Sequence, residues 1–266
     1  MIKKSYLALS LLTLCAGASL QAQSMQVNIT QQQIPVLKNK GMNKLISLQC
    51  IPQETISVEG IKLSFEGTTK RSDIDKIYLV REGKEKQILA EAHVNKSSLY
   101  LPIATQLSDT TNLSLYCDLK PQTPLLHRID VQCKEIKTDK GVIRPTDETI
   151  KGQRVGVAVQ DAGTENVAAF RIPGLATTKD GSLIAVYDAR RESSRDLQGH
   201  MDIGVSRSTD RGQTWEPMRV ALDMKTWGGL PEKFNGVSDA CVLADPNTGT
   251  IWVAGLWMHG ILDKDG

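Results

Sequence analysis

Residues 168–218 read AAFRIPGLATTKDGSLIAVYDARRESSRDLQGHMDIGVSRSTDRGQTWEPM and decide the fold of the second half of the chain. Within them, GLATTKDGSLIAVYDAR holds two apolar runs joined by an Asp-Gly pair, a pattern that predicts a β-hairpin. Two further strand–turn–strand units follow, IGVSRSTDRGQTWEPMRV and ACVLADPNTGTIWVAGLW. Successive units of this kind predict an all-β fold.

The first and third of these units repeat each other. Leu183 in SLIAVY matches Ile251 in TIWVAG, a shift of 68 residues, and the same shift brings Arg171 close to Asp239 or Ala240. Hairpin repeats of this length are typical of the blades of a β-propeller.

The segment SRSTDRGQTW has the pattern Ser-x-Asp-x-Gly-x-Thr-Trp, formed by Ser208, Asp210, Gly212, Thr214 and Trp215. The serine and aspartate oxygens can accept hydrogen bonds from backbone N–H groups of the turn. The glycine supplies a positive φ, and the tryptophan offers a large apolar face to neighbouring strands. We interpret the motif as a device that builds a turn rather than as a sugar-binding site.

The first half of the chain alternates apolar and polar residues in short runs such as TISVEGIKLSFEG, NLSLYCDL and RIDVQC. Such runs, separated by turn residues, predict an antiparallel β-sandwich, here over residues 25–140. The polar stretch KTDKGVIRPTDETIKGQRV contains Pro145 and two glycines, and residues 141–156 are predicted to be a linker. A second domain is then expected over residues 157–266.

Charge and cysteine content exclude several classes of function. The net charge of +2 gives no reason to expect a nucleic-acid partner. Cys50, Cys117, Cys133 and Cys241 lack the spacing of a metal site, so we expect no metal and no cofactor. Cys117 and Cys133 lie on the apolar side of alternating runs, which predicts buried thiols.

The N-terminus has the pattern of an export signal. Lys3 and Lys4 precede an apolar run, and small residues follow it, so residues 1–22 are predicted to be a signal peptide. The run is too short to span a membrane. A secreted or periplasmic protein is expected. An association with the outer membrane is the alternative, through a lipid on Cys15, although Leu14 fits poorly before it.

A family resemblance rests on two motifs. Residues 170–173 spell Phe-Arg-Ile-Pro, and the Ser-x-Asp-x-Gly-x-Thr-Trp motif begins 35 residues after that signature ends. In this order they resemble the opening signature and the Asp-box, or BNR repeat, of bacterial exo-sialidases (neuraminidases) of the kind that gut bacteria secrete. The resemblance implies an N-terminal sandwich followed by about one and a half blades of a six-bladed β-propeller.

The resemblance also implies an activity. Members of the family are retaining glycoside hydrolases with a tyrosine nucleophile, and they release terminal sialic acids from glycoproteins, glycolipids and oligosaccharides. In the family the tyrosine, a glutamate and two arginines come from later blades. We therefore expect the portion given by this sequence to be inactive alone.

The same resemblance assigns roles to particular residues. Arg171 matches the first of three arginines that clamp the substrate carboxylate, for which a planar guanidinium is well suited. Arg190 matches an arginine that contacts the sugar and the acid loop, with Arg191 as its competitor. Asp196 matches the general acid/base, with Asp202 as its rival.

Three more residues extend the predicted site. Asp188 is a candidate to orient the arginine pair that follows it. Asp239 matches a carboxylate that contacts the N-acyl region or the ring hydroxyls of the sugar. Trp257 either walls the acyl pocket or belongs to the core of its blade.

Two other functions stay open at the level of sequence. The sandwich could be a glycan-binding module, for which Tyr78, Tyr100 and Tyr116 are the candidate stacking platforms. Alternatively, the chain could belong to a non-catalytic Asp-box propeller that binds other proteins. The pairing of Phe-Arg-Ile-Pro with Asp196 favours the sialidase.

Overall fold

The structure is a computed structural model that describes residues 24–146 and 151–261. The predicted signal peptide, residues 1–22, lies outside the described residues. Short 3₁₀ helices cover Arg71–Asp73 and Glu232–Phe234. The strands are β1 (Met25–Thr30), β2 (Val36–Leu37), β3 (Asn43–Pro52), β4 (Ile56–Ser64), β5 (Ile74–Arg81), β6 (Gln87–Ala92), β7 (Ser98–Leu107), β8 (Thr111–Leu119), β9 (Arg128–Ile129), β10 (Gln132–Thr138), β11 (Gly141–Ile143), β12 (Gln153–Gly156), β13 (Ala169–Thr177), β14 (Leu183–Arg190), β15 (Met201–Ser208), β16 (Arg219–Leu222), β17 (Val237–Ala244) and β18 (Ile251–Trp257).

Two antiparallel sheets pack against each other in the first half of the chain. One has the strand order β1-β3-β8-β5-β6 and the other the order β11-β10-β4-β7. Leu48 and Leu113 from the first sheet share one buried core with Ile61 and Ile136 from the second. The prediction of an all-β fold with antiparallel sheets is confirmed. No helix among the described residues is long and apolar enough to cross a membrane.

Strand β4 shows how the alternating pattern is preserved across an irregularity. Ile56 and Val58 point into the core, and a bulge between Val58 and Gly60 shifts the register by one residue. Because a one-residue slip reverses the face of every later side chain, the bulge brings Ile61 and Leu63 back to the core. Cys50, Cys117 and Cys133 are buried in the same core.

The segment 141–156 contains two strands. Strand β11 pairs with β10, and β12 pairs in parallel with β2 and antiparallel with β9. Val155 in β12 is buried in the core of the first half. This part of the expected linker is therefore structured by its contacts with residues 25–140, while the predicted domain boundaries stay a prediction.

The second half begins with a four-stranded antiparallel sheet, in the order β13-β14-β15-β16, and continues with the hairpin β17-β18. Consecutive strands that pair in chain order are typical of a propeller blade. The sheet and the hairpin share a buried cluster that includes Ile184, Val186, Ile203 and Val237. The number of six blades stays a prediction.

The repeat predicted from sequence is visible in strand register. Leu183 and Ile251 begin β14 and β18, as the shift of 68 requires. The first strands, β13 and β17, both carry a bulge, one after Arg171 and one after Ser238. Arg171 therefore corresponds to Ser238 rather than to Asp239 or Ala240, because the two hairpin turns differ in length by one residue.

The Asp-box residues form the turn after β15. Ser208 Oγ accepts a hydrogen bond from the Gly212 N–H at 2.8 Å, and Gly212 has a φ of 81°. Asp210 accepts from the Thr214 N–H at 2.9 Å and from the Thr214 hydroxyl at 2.6 Å. Trp215 packs half-buried against Gly212. These contacts agree with a motif that builds a turn.

A turn of the sandwich holds the second half in place. Lys38 Nζ donates to Gln213 Oε1 in the Asp-box turn at 2.6 Å. The side chain of Asn39 exchanges two hydrogen bonds with the backbone of Ala158, at 2.8 and 2.9 Å. The sheet β13-β14-β15-β16 is thus attached to the sandwich at the end that carries the Asp-box.

Replacement of Ser208 by alanine should destabilise the protein. The Gly212 N–H is buried and would lose its acceptor, which costs about 1–3 kcal/mol of unfolding free energy. Denaturant unfolding measures this loss. Thr248→Ala removes an exposed hydroxyl from the turn of the hairpin β17-β18 and serves as the control. Equal effects of the two substitutions would contradict the structural role given to Ser208.

Candidate functional site

Arg171 lies at the bulge of β13, opposite Asp188 of β14. The next residue, Ile172, has a φ of 51°, a conformation that a β-branched side chain rarely adopts. The Arg171 guanidinium lies 3.4 Å from Asp196 Oδ1 and 3.4 Å from the Ser194 carbonyl oxygen. Its side chain keeps 47% of its surface exposed, so it can contact a ligand from solvent.

Asp188 is a fully buried carboxylate that joins the two hairpins. It accepts hydrogen bonds from Arg190 Nη2 at 3.0 Å, from Ser238 Oγ at 2.9 Å and from the Ala240 N–H at 3.4 Å. A buried charge is tolerated only when it is paired and hydrogen-bonded. Asp188 orients Arg190, as proposed from sequence, but not Arg191.

Arg190 is buried, with 1% of its side chain exposed. Its Nη1 donates to the Ser194 carbonyl oxygen at 2.9 Å and forms an ion pair with Asp196 Oδ1 at 2.7 Å. Its Nε has no hydrogen-bond partner among the described residues. The guanidinium therefore supports Asp196 from the protein side, and its predicted contact with the sugar stays a prediction.

Asp196 and its rival Asp202 lie in opposite environments. Asp196 is 75% exposed on the loop between β14 and β15, and its hydrogen bond to Arg190 lowers its pKa. Asp202 is buried, and burial raises its pKa even though Arg191 opposes the shift. Arg191 binds Asp202 Oδ2 through Nε and Nη2, at 2.9 and 2.7 Å. Only Asp196 of this pair can reach a ligand.

Asp239 occupies the bulge of β17 with a φ of 59° and an exposed side chain. Its neighbour Ser238 is buried and donates to Asp188. The same buried carboxylate thus fixes the backbone on both sides of Asp239, through Ser238 and through the Ala240 N–H.

Trp257 lies at the end of β18, partly exposed, and belongs to an aromatic cluster. Its ring centroid is 5.0 Å from that of Trp227 and 5.6 Å from that of His259. The structure therefore places Trp257 at the surface rather than in the core of the blade.

The structure brings Arg171, Arg190 and Asp196 into direct contact and ties Asp239 to them through Asp188. The Asp-box is at the other end of β15, which spans about 23 Å at about 3.3 Å per residue.

The sequence did not reveal the roles of the Ser194 carbonyl and Ser238, because neither residue belongs to a recognisable sequence motif. Trp227 was identifiable only as one of four tryptophans beyond residue 210. Among the described residues, no group of three or more His, Cys, Asp or Glu side chains is arranged to hold a metal ion.

Comparison with known proteins supports the sequence resemblance. Residues 24–105 match the model of the N-terminal domain of BNR-repeat neuraminidase. A sialidase of Bacteroides fragilis is 32% identical over 98% of this chain and 54% of its own length. The solved structure of Hadza microbial sialidase Hz136 matches 88% of this chain and 51% of its own, with a TM-score of 0.78 and 32% identity. The chain belongs to the bacterial sialidase family.

A shorter match links this sialidase-family chain to a second sialidase. A sialidase of Micromonospora viridifaciens is 39% identical over 34% of the chain and 13% of its own length. The chain spans about half the length of the Bacteroides sialidase and of the Hz136 structure.

The sandwich offers little support for sugar stacking on tyrosine. Tyr78 and Tyr116 are buried, and their hydroxyls donate to Asp118 and Glu82 at 2.6 Å each. Their proposed use as stacking platforms is wrong, because neither ring presents an open face. Tyr100 keeps 46% of its surface exposed.

Replacement of Asp188 by alanine should cost about 3–5 kcal/mol of unfolding free energy, because it removes one partner of a buried ion pair. Thermal or denaturant unfolding measures this loss. Asp161→Ala removes a carboxylate from an exposed pair with Lys40 and should cost no more than about 1 kcal/mol. A loss at Asp188 as small as the loss at Asp161 would show that the buried pair does not hold the hairpins together.

Proposed function

We propose that this chain forms the N-terminal part of an exo-α-sialidase that hydrolyses terminal sialic acids from glycoproteins, glycolipids and oligosaccharides. One observation carries the proposal: an exposed carboxylate, Asp196, is held by a buried arginine and a half-exposed arginine in a chain of the sialidase family. Secretion or a periplasmic location fits such substrates and is proposed from the pattern of residues 1–22.

Arg171 binds the carboxylate of the sialic acid in this proposal. Its guanidinium has two contacts at 3.4 Å, one of them to Asp196. A carboxylate from solvent can replace the Asp196 contact with a bidentate pair of better geometry. In the absence of substrate, the carboxylate of Asp196 therefore lies beside the Arg171 guanidinium, to which the substrate carboxylate would bind.

The low pKa of Asp196 must rise before it can act as a general acid. Without substrate, Arg190 and Arg171 favour the charged form. A bound substrate carboxylate engages Arg171 and adds a negative charge nearby, and both changes favour the protonated form of Asp196. Substrate binding therefore promotes protonation of Asp196, which can then donate this proton to the leaving-group oxygen.

The other predicted residues complete the site around the sugar. Arg190 holds the loop of Asp196 in place through an ion pair with Asp196 at 2.7 Å and a hydrogen bond to the Ser194 carbonyl oxygen at 2.9 Å. Asp239 contacts ring hydroxyls or the N-acyl region, and Trp257 walls the acyl pocket. No cofactor and no metal is part of the proposal.

The proposed mechanism is retaining, with a tyrosine nucleophile, a glutamate and two further arginines from other blades. The four tyrosines among the described residues do not serve this role. Three lie in the sandwich, and Tyr187 is buried with its hydroxyl 2.7 Å from Ser206 Oγ. We therefore propose that residues 24–261 alone release no sialic acid.

In the full-length protein that contains this chain, Asp196→Asn should slow hydrolysis most for substrates with poor leaving groups. Such leaving groups need a proton from the acid, whereas an activated aryl sialoside does not. The measurement is kcat/KM on a sialyl-oligosaccharide and on an aryl sialoside. Asp202→Asn should lack this dependence, because its carboxylate is buried under Arg191. The reverse result would make Asp202 the acid.

A further inference from the structure

Three rings form an exposed aromatic platform, which we define as Trp227, Trp257 and His259. The Trp227 centroid lies 5.0 Å from that of Trp257 and 4.9 Å from that of His259, with interplanar angles of 89° and 88°. Trp227 nevertheless keeps 52% of its surface exposed. A tryptophan that is half exposed beside two other rings is a candidate ligand contact.

The buried side chain of Asn235 connects two parts of the platform by hydrogen bonds. The Asn235 amide donates to the carbonyl oxygens of Trp227 and Leu230, at 3.2 and 3.0 Å. Its Oδ1 lies 2.8 Å from Nδ1 of His259. The loop that carries Trp227 is thus fixed before a ligand arrives, which lowers the entropic cost of binding.

The platform is continuous with the loop of Asp196. Gly236 approaches this loop so closely that a Cβ at this position would lie 2.3 Å from the Gly199 carbonyl oxygen and 2.8 Å from Leu197 Cδ2. The Gln198 side-chain amide donates to the Gly260 carbonyl oxygen, one residue after His259.

A second contact joins the loop of Asp196 to the loop of Trp227. His200 Nε2 lies 3.3 Å from Glu232 Oε2, and Glu232 belongs to the loop between β16 and β17. Residues 197–200, directly after Asp196, therefore contact the loop that carries Trp227, at Glu232 and Gly236, and the backbone next to His259, at Gly260.

We propose that Trp227 binds the sugar to which the sialic acid is attached, by stacking on the C–H face of that hexose. This inference rests on the proposed function, in which Asp196 protonates the oxygen of the leaving group. The leaving-group sugar must then lie on the Asp196 side of the site, and Trp227 is the exposed ring of the loop that packs there. An indole ring provides a large apolar face with little rotamer entropy to lose.

The test compares two donors that share the same sialic acid, in the full-length protein. Sialyllactose carries a leaving-group sugar, and sialyl fluoride carries none. Trp227→Ala should lower kcat/KM for sialyllactose by about tenfold more than kcat/KM for sialyl fluoride, which Trp227 can affect only through its contact with Trp257. An equal loss on both donors would overturn the proposal, because the ring would then serve the sialic acid or the fold.

Two controls separate the possible outcomes. Trp252→Ala removes a tryptophan that is 62% exposed and points to the face of β18 opposite Trp257, so it should change neither donor. If the wild-type protein releases sialic acid from neither donor, the proposed function is refuted and this inference falls with it. Release from both donors with no effect of Trp227→Ala refutes this inference alone.

A binding measurement covers the case in which Trp227→Ala does not fold. Lactose should change the intrinsic tryptophan fluorescence of the wild-type protein, and Trp227→Phe should reduce the amplitude of that change. The same amplitude in the wild type and in Trp227→Phe would overturn the proposal.

Discussion

The site depends on the buried carboxylate of Asp188. It is fully buried together with its partner Arg190, and it accepts hydrogen bonds from donors of two hairpins. One of these donors, Arg190, in turn forms the ion pair that holds Asp196. The others, Ser238 and the Ala240 N–H, fix the backbone on the two sides of Asp239 in its bulge. A single buried anion thus sets the positions of exposed groups on two hairpins.

The two ends of the sheet β13-β14-β15-β16 differ in their contacts. At one end of β15, the Asp-box closes a turn, and Lys38 of the sandwich contacts it. At the other end, bulges and positive φ values at Ile172 and Asp239 present charged side chains to solvent. Backbone irregularities of this kind cost free energy and persist where the surrounding contacts hold them. Here the buried network of Asp188 supplies those contacts.

The sequence was most informative where one local pattern determines the result. Alternation predicted the buried face of β8 and the buried Cys117, and the Asp-box pattern predicted its own turn. Register was harder, because the turn lengths of the two hairpins differ by one residue and the match of Arg171 moves to Ser238.

The sequence identified charged residues for the candidate site, whose roles stay predictions, but it did not indicate their geometry. The choice of Asp196 over Asp202 depends on burial, which neighbouring residues in sequence do not reveal. The Ser194 carbonyl and Trp227 lie in loops, where the sequence has no periodicity that indicates which residues face the site. Tertiary contacts alone place Trp227 beside the loop of Asp196.

The central claim is that Arg171 meets the carboxylate of the substrate, and a chemical change in the substrate tests it most directly. The measurement is kcat/KM of the full-length protein for an aryl sialoside and for its C1 methyl ester, in the wild type and in Arg171→Ala. Losing a charge-assisted pair in a site of this kind costs about 2–5 kcal/mol. We predict that the wild type strongly prefers the free carboxylate and that this preference falls by at least about tenfold in Arg171→Ala. An undiminished preference in Arg171→Ala would show that Arg171 does not bind the substrate carboxylate.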